Sequence, residues 1–161
     1  MLSRIFGAIF LLYALTCAAE DAPPHDRLTF VFGPYVYHYH YDSDHQDLPW
    51  LTGLEWGPQG SWVDFGTVFF RNSFNQPSVY AYVSKRWFPG IDDDQGAYLK
   101  ITGGPLYGYR GEFEDKVPFN NNGLAWAIIP GIGYQYRAFD AQLVFLGTAA
   151  LLLTFGYDFS K

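Results

Sequence analysis

Four residue types in two separate segments could do chemistry. His38 and His40 stand two apart, with Asp42 and Asp44 just beyond them, and far along the chain Asn72 and Ser73 interrupt an aromatic run. A hydroxyl beside an imidazole beside a carboxylate is the minimum set for acyl chemistry: histidine removes the hydroxyl proton, and Asp42 or Asp44 fixes the ring. These residue types are common in exported domains, so the set matters only if the fold brings the segments together. A plainer reading has Asn72 and Ser73 opening the turn that Asn75, Gln76 and Pro77 complete, with His38 and His40 as wet rim residues. His25, in an unstructured lead, and His45, in a loop, have no evident fixed partner. The run Asp92-Asp93-Asp94 suits a solvated turn better than a divalent-cation site. Arg86, Lys100 and Arg110 are candidates for contact with lipid phosphates, against a snorkelling or solvated role.

The elements that must position these groups depend on the compartment. Arg4, the apolar run 5–15 and the small residues Cys17, Ala18 and Ala19 form a secretory signal peptide, residues 1–19, with cleavage expected after Ala19. The run is shorter than the roughly 20 residues a spanning helix needs. Lipidation at Cys17 is disfavoured because Ala14, Leu15 and Thr16 make a poor lipobox. Cys17 is the only cysteine, so about 142 residues, from Glu20 to Lys161, must fold without a disulfide. Their net charge, about −7 once Arg4 is lost, argues against nucleic acid as a partner. Aromatic residues are 20% of the chain and charged residues 16%, a balance that suits a lipid-facing surface.

Apolar residues alternate with period two in eight segments, about 29–41, 48–56, 61–72, 78–88, 96–109, 123–136, 138–146 and 149–159. This predicts an all-β fold: an eight-stranded antiparallel up-and-down transmembrane β-barrel over 29–161, after a lead over 20–28. Lipid offers no partner to an open strand edge, so the sheet must close. Connections at 57–60, 89–95 and 137 fall at one rim, and those at 42–47, 73–77, 110–122 and 147–148 at the other, which places both termini on the periplasmic side. In the first strand Tyr35, Tyr37, Tyr39 and Tyr41 are expected outside. Phe30, Phe32, His38, His40 and Asp42 are expected inside, giving an interior that is apolar near the periplasm and polar toward the outer rim. Pro105 and Pro130 cannot donate to a ladder and mark gaps or strand ends. A soluble lipocalin-like barrel is a weaker alternative, because so many aromatics fall on the outward face.

The segment Phe70-Arg71-Asn72-Ser73-Phe74-Asn75 resembles the Phe-x-Asp-Ser-Trp-Asn segment of the outer-membrane lipid A palmitoyltransferases, the PagP family. Tyr41-Asp42, Pro49-Trp50 and Gly60-Ser61-Trp62 resemble further stretches of that family in the same order, and a weaker likeness runs through Trp87 to Tyr136. The resemblance implies a Gram-negative outer-membrane acyltransferase that moves palmitoyl from a phospholipid donor to a lipid A acceptor without a cofactor, and a monomer is expected. It implies catalytic roles for Ser73 and for His38 or His40, and reads Pro105 and Pro130 as lateral openings for lipid chains. Asn72 departs from the family's aspartate. An amide cannot act as a base or supply negative charge, so here it orients the histidine or donates to an oxyanion, with Asp42 or Asp44 as the charge. A site that is dead or performs other lipid chemistry is the alternative. The family's amphipathic helix ahead of the first strand is also missing, since Pro23 and Pro24 fall there. A lipid esterase with Ser73 as nucleophile and a noncatalytic barrel are the competing functions.

Overall fold

The computed structural model describes residues 25–40, 50–90 and 95–161. Eight antiparallel strands follow one another round a closed barrel: β1 (Arg27–His38), β2 (Leu51–Gly57), β3 (Asp64–Arg71), β4 (Pro77–Trp87), β5 (Gly96–Tyr107), β6 (Leu124–Tyr136), β7 (Phe139–Leu146) and β8 (Ala150–Asp158). Closure is made by β1 and β8, from Thr29↔Asp158 to His38↔Ala150. The barrel starts two residues earlier than the sequence pattern predicts. Just ahead of it, the Asp26 carboxylate accepts the Gln59 N–H at 2.7 Å and ties the lead to the β2–β3 turn. The expected signal peptide at 1–19, Asp42, Asp44, His45 and Asp92–Asp94 lie outside the described residues.

Alternation along β6 shows why these sequences form strands. Leu124, Trp126, Ile128, Ile132, Tyr134 and Tyr136 face outward, while Ala125, Gly131 and Gln135 are buried inside. Large apolar side chains fill the outer face of the other strands too, as Leu54 and Trp56 of β2 and Phe65 and Phe69 of β3 do. Hydrocarbon suits that face, and the closed ladder pairs most of the backbone behind it.

One face assignment in β1 is corrected. Phe30 and Phe32, expected inside, are 39% and 41% exposed and lie on the same outer face as Tyr35, Tyr37 and Tyr39. The cause is a bulge: between Phe32 and Tyr35 the register with β8 slips at Gly33-Pro34. One extra residue reverses the parity of everything after it. Thr29 and Val31 face inward before the bulge, and Val36 and His38 after it.

The interior polarity is therefore the reverse of the expectation. At the end that carries the termini, the inward positions hold Arg27, Glu55, Asp64, Arg86, Tyr98, Lys100, Gln135, Asp140 and Asp158. At the long-loop end they hold Leu51, Val68, Phe70, Leu106, Ile129, Val144 and Leu152. Arg86 and Lys100 do not reach toward lipid. Arg86 Nε lies 3.5 Å from Asp64, which also receives Arg27 at 2.5 Å, and Lys100 is paired with Glu55. Two tyrosines complete this layer. Tyr82 donates to Glu55 at 2.8 Å, and Tyr98 donates to Asp140 and, at 3.2 Å, to Gln142. Each tyrosine is paired across the ladder with a glycine, Gly66 for Tyr82 and Gly133 for Tyr98, and its ring occupies the space a Cβ would need. Bare backbone is what lets the rings lie flat against the wall.

Prolines mark where ladders stop. β6 pairs with β5 along its whole length, but with β7 only from Gly131↔Val144 to Tyr136↔Phe139. Leu124 to Pro130 thus have no ladder partner on β7 among the described residues: by that register Pro130 and Ile129 fall opposite Phe145 and Leu146, which leaves a short gap beside Pro130, and Leu124 to Ile128 run past the end of β7. The β1–β2 ladder ends at Gly33↔Leu51, beside Pro34. Pro105 behaves differently from the expected opening. It stays in register with Trp126, and only the pairing with β4 lapses beside it, where Gly104 lies against the Ala81 backbone.

Removing one partner of a buried ion pair strands the other charge, at a cost of about 3–5 kcal/mol. Lys100→Met is expected to destabilise the barrel on that scale, and Lys100→Met with Glu55→Gln to recover most of the loss. Urea unfolding in detergent micelles measures both.

Candidate active site

The site begins with a turn. After β3, Asn72 N–H donates to the Gln76 carbonyl at 3.0 Å and Asn75 N–H to the Asn72 carbonyl at 2.9 Å. The Asn72 side-chain oxygen accepts two more backbone donors, Phe74 N–H at 3.0 Å and Gln76 N–H at 2.9 Å. Asn75 takes the left-handed conformation with φ 60°, which asparagine tolerates, and Arg71 donates to its backbone and side-chain oxygens. So the plainer reading of Asn72 as a turn opener holds, and the turn in addition carries Ser73 to the barrel mouth.

Ser73 meets His38 there. Ser73 Oγ lies 2.7 Å from His38 Nε2, joining the end of β1 to the turn that follows β3. That is the reach a hydroxyl–imidazole pair requires for proton transfer. His40, the other candidate, is exposed beyond the end of β1. The residue choice left open between the two histidines is thereby narrowed to His38 by distance.

Below the pair opens a cavity of about 150 Å³. Trp50, Arg71, Asn72, Ser73 and Tyr109 stand at its mouth, the apolar residues named above form its wall, and Glu55, Tyr82, Lys100, Thr102, Gln142 and Thr154 form its floor. That volume matches a benzene-sized apolar group and falls well short of a palmitoyl chain. Any long chain seated there would extend beyond the open space.

A long loop clamps the turn. Phe113, in the 3₁₀ segment Gly111–Lys116, stacks on Phe74 with ring centres 4.2 Å apart, and Lys116 Nζ sits 5.3 Å from the Phe74 ring centre. Gln76 and Arg110 exchange two hydrogen bonds, at 3.0 and 3.1 Å. Both bonds are made by the Arg110 backbone, while its exposed guanidinium lies over the Tyr107 ring, 5.7 Å from the ring centre. Tyr109 packs edge-on against Phe74, and desolvation pushes its hydroxyl pKa up to about 12, so it stays a neutral hydroxyl at the mouth. Tyr109 was not among the sequence candidates. Its signal was its place just past a strand end, opposite the Ser73 turn.

No family's sequence pattern matches this chain, and no curated protein is similar to it. Solved structures similar in fold include a de novo designed transmembrane β-barrel, 8% identical with a TM-score of 0.56 over 86% of this chain and 98% of that one. The N-terminal β-barrel domain of Pseudomonas aeruginosa OprF is 13% identical, with a TM-score of 0.44 over 84% of this chain and 98% of that one. At such identities the likeness concerns the fold alone: a small barrel of the transmembrane type.

Aromatic stacking of this kind contributes about 0.5–1.5 kcal/mol. Phe113→Ala is expected to loosen the 111–122 loop, so that limited proteolysis cuts there faster while the urea midpoint of the barrel stays within error of wild type.

Proposed function

We propose that this chain is an outer-membrane acyltransferase that moves a palmitoyl chain from a phospholipid to lipid A. The observation that carries the proposal is the Ser73 hydroxyl held 2.7 Å from His38 Nε2 at the mouth of an apolar well. With Nε2 unprotonated, Ser73 Oγ–H donates to it. This is the arrangement of a nucleophile with its base, and it needs no soluble cofactor. In this reading Ser73 attacks the donor ester, His38 takes its proton and returns it to the departing lysophospholipid, and a lipid A hydroxyl then collects the acyl group by the reverse steps.

Three further features support the reading. The mouth lies at the long-loop end, which faces outward when the termini are periplasmic, and that is the leaflet where lipid A resides. The unpaired stretch of β6 beside Pro130 gives acyl chains a way in from the bilayer without crossing water. The segment around Ser73 resembles that of the lipid A palmitoyltransferases, and the well places apolar surface where an acyl chain would be held for reaction.

Mass spectrometry of lipid A from cells with and without the gene tests this. A gain of one palmitoyl group supports transfer. A loss of acyl groups means hydrolysis, and no change means a noncatalytic barrel. Ser73→Ala and His38→Asn are each expected to lower the modification by at least about 100-fold, and His40→Asn to leave it intact. All three variants should keep the heat-dependent gel shift of a folded barrel. Activity surviving both Ser73→Ala and His38→Asn refutes the site.

A further inference from the structure

We infer that the side-chain amide of Asn72 is the hydrogen-bond donor that receives the oxyanion when an ester carbonyl is attacked beside it; the inference rests on the acyl-transfer reading. Its orientation is set by chemistry. Two backbone N–H groups, those of Phe74 and Gln76, point at one atom of the side chain, and only an acceptor can receive both. That atom is therefore Oδ1, and Nδ2 is the atom left over. The residue is 2% exposed and lines the cavity next to Ser73, and among the described residues its buried Nδ2 has no hydrogen-bond partner.

A buried donor left unpaired lowers stability, and folded proteins keep few of them. The turn does not call for one. An aspartate would accept the same two N–H groups equally well, so what asparagine adds over aspartate is only the N–H₂ group. Beside a nucleophile, that group suits an oxygen that gains negative charge during reaction.

The step balances on these residues. Ser73 Oγ bonds to the ester carbon as its proton passes to His38 Nε2, and the carbonyl electron pair moves onto oxygen. Asn72 Nδ2–H donates to that oxygen. When the pair returns, the bond to the lysophospholipid oxygen breaks and the proton of His38 goes to it. A carboxylate in place of the amide would repel the oxyanion at the same spot. One donor of this kind is worth about 100- to 1,000-fold in rate.

The test uses the full chain folded in micelles, with p-nitrophenyl palmitate as the acyl donor and dodecylboronic acid as a probe that becomes a tetrahedral anion on Ser73. Asn72→Asp keeps the turn and removes the donor. Asn72→Ser keeps a short capping oxygen and adds no charge. Both are expected to unfold in urea as wild type does, to hold KM within about 2-fold, and to lose about 100-fold in kcat. Both should bind the boronate at least about 10-fold more weakly. An Asn72→Asp enzyme as fast as wild type or faster, with Ser73→Ala dead, overturns the inference and leaves acyl transfer standing. If wild type turns over no ester, the acyl-transfer reading falls and takes the inference with it; if it does turn over ester, equal boronate binding by wild type and both variants overturns the inference alone.

Discussion

Backbone hydrogen bonding in a medium without water is the constraint on which the rest of the molecule depends. Every strand needs a neighbour on both sides, and the pairing of β1 with β8 supplies the last one. Closure also fixes what lies opposite what. It brings the inward positions of all strands to common levels, so that a histidine from the first strand and a serine after the third stand at one mouth. Where a proline withholds its N–H the constraint relaxes, and there the wall can open without exposing a donor that was never present.

Much of this was legible. Period-two alternation located all eight strands to within a few residues, because an outer face in hydrocarbon tolerates little but apolar side chains. The convergence of His38 and Ser73 was legible once the strands were laid in order. What could not be read was the bulge at Gly33-Pro34, since one inserted residue leaves the pattern locally plausible on either parity. That single slip misplaced Phe30 and Phe32 and, with them, the polarity of the interior. A better signal lay in the charges: Glu55, Asp64, Arg86 and Lys100 all share parity with inward neighbours on their own strands. The Asn72 amide was ambiguous in sequence, because turn opener and hydrogen-bond donor are compatible roles and only the two N–H contacts to its single side-chain oxygen fix which way it points.

The two halves of the interior do different work. The apolar half gives a hydrocarbon ligand a place to sit, and the charged half gives the sheet a rigid fill, with tyrosines laid over glycines and hydroxyls bound to carboxylates. A group near that fill meets strong local fields, whereas a group near Ser73 faces an apolar wall below it. A fixed donor counts most in such a place, because few other dipoles compete with it.

The layer of Arg27 with Asp64 and Lys100 with Glu55 has a consequence for the envelope that houses the barrel. An ion or a hydrated solute passing along the axis would have to break these pairs and strand charges in a dry wall. The molecule is thus a cup rather than a tube. On the proposed function, it would work on lipids at its brim and leave the membrane electrically sealed.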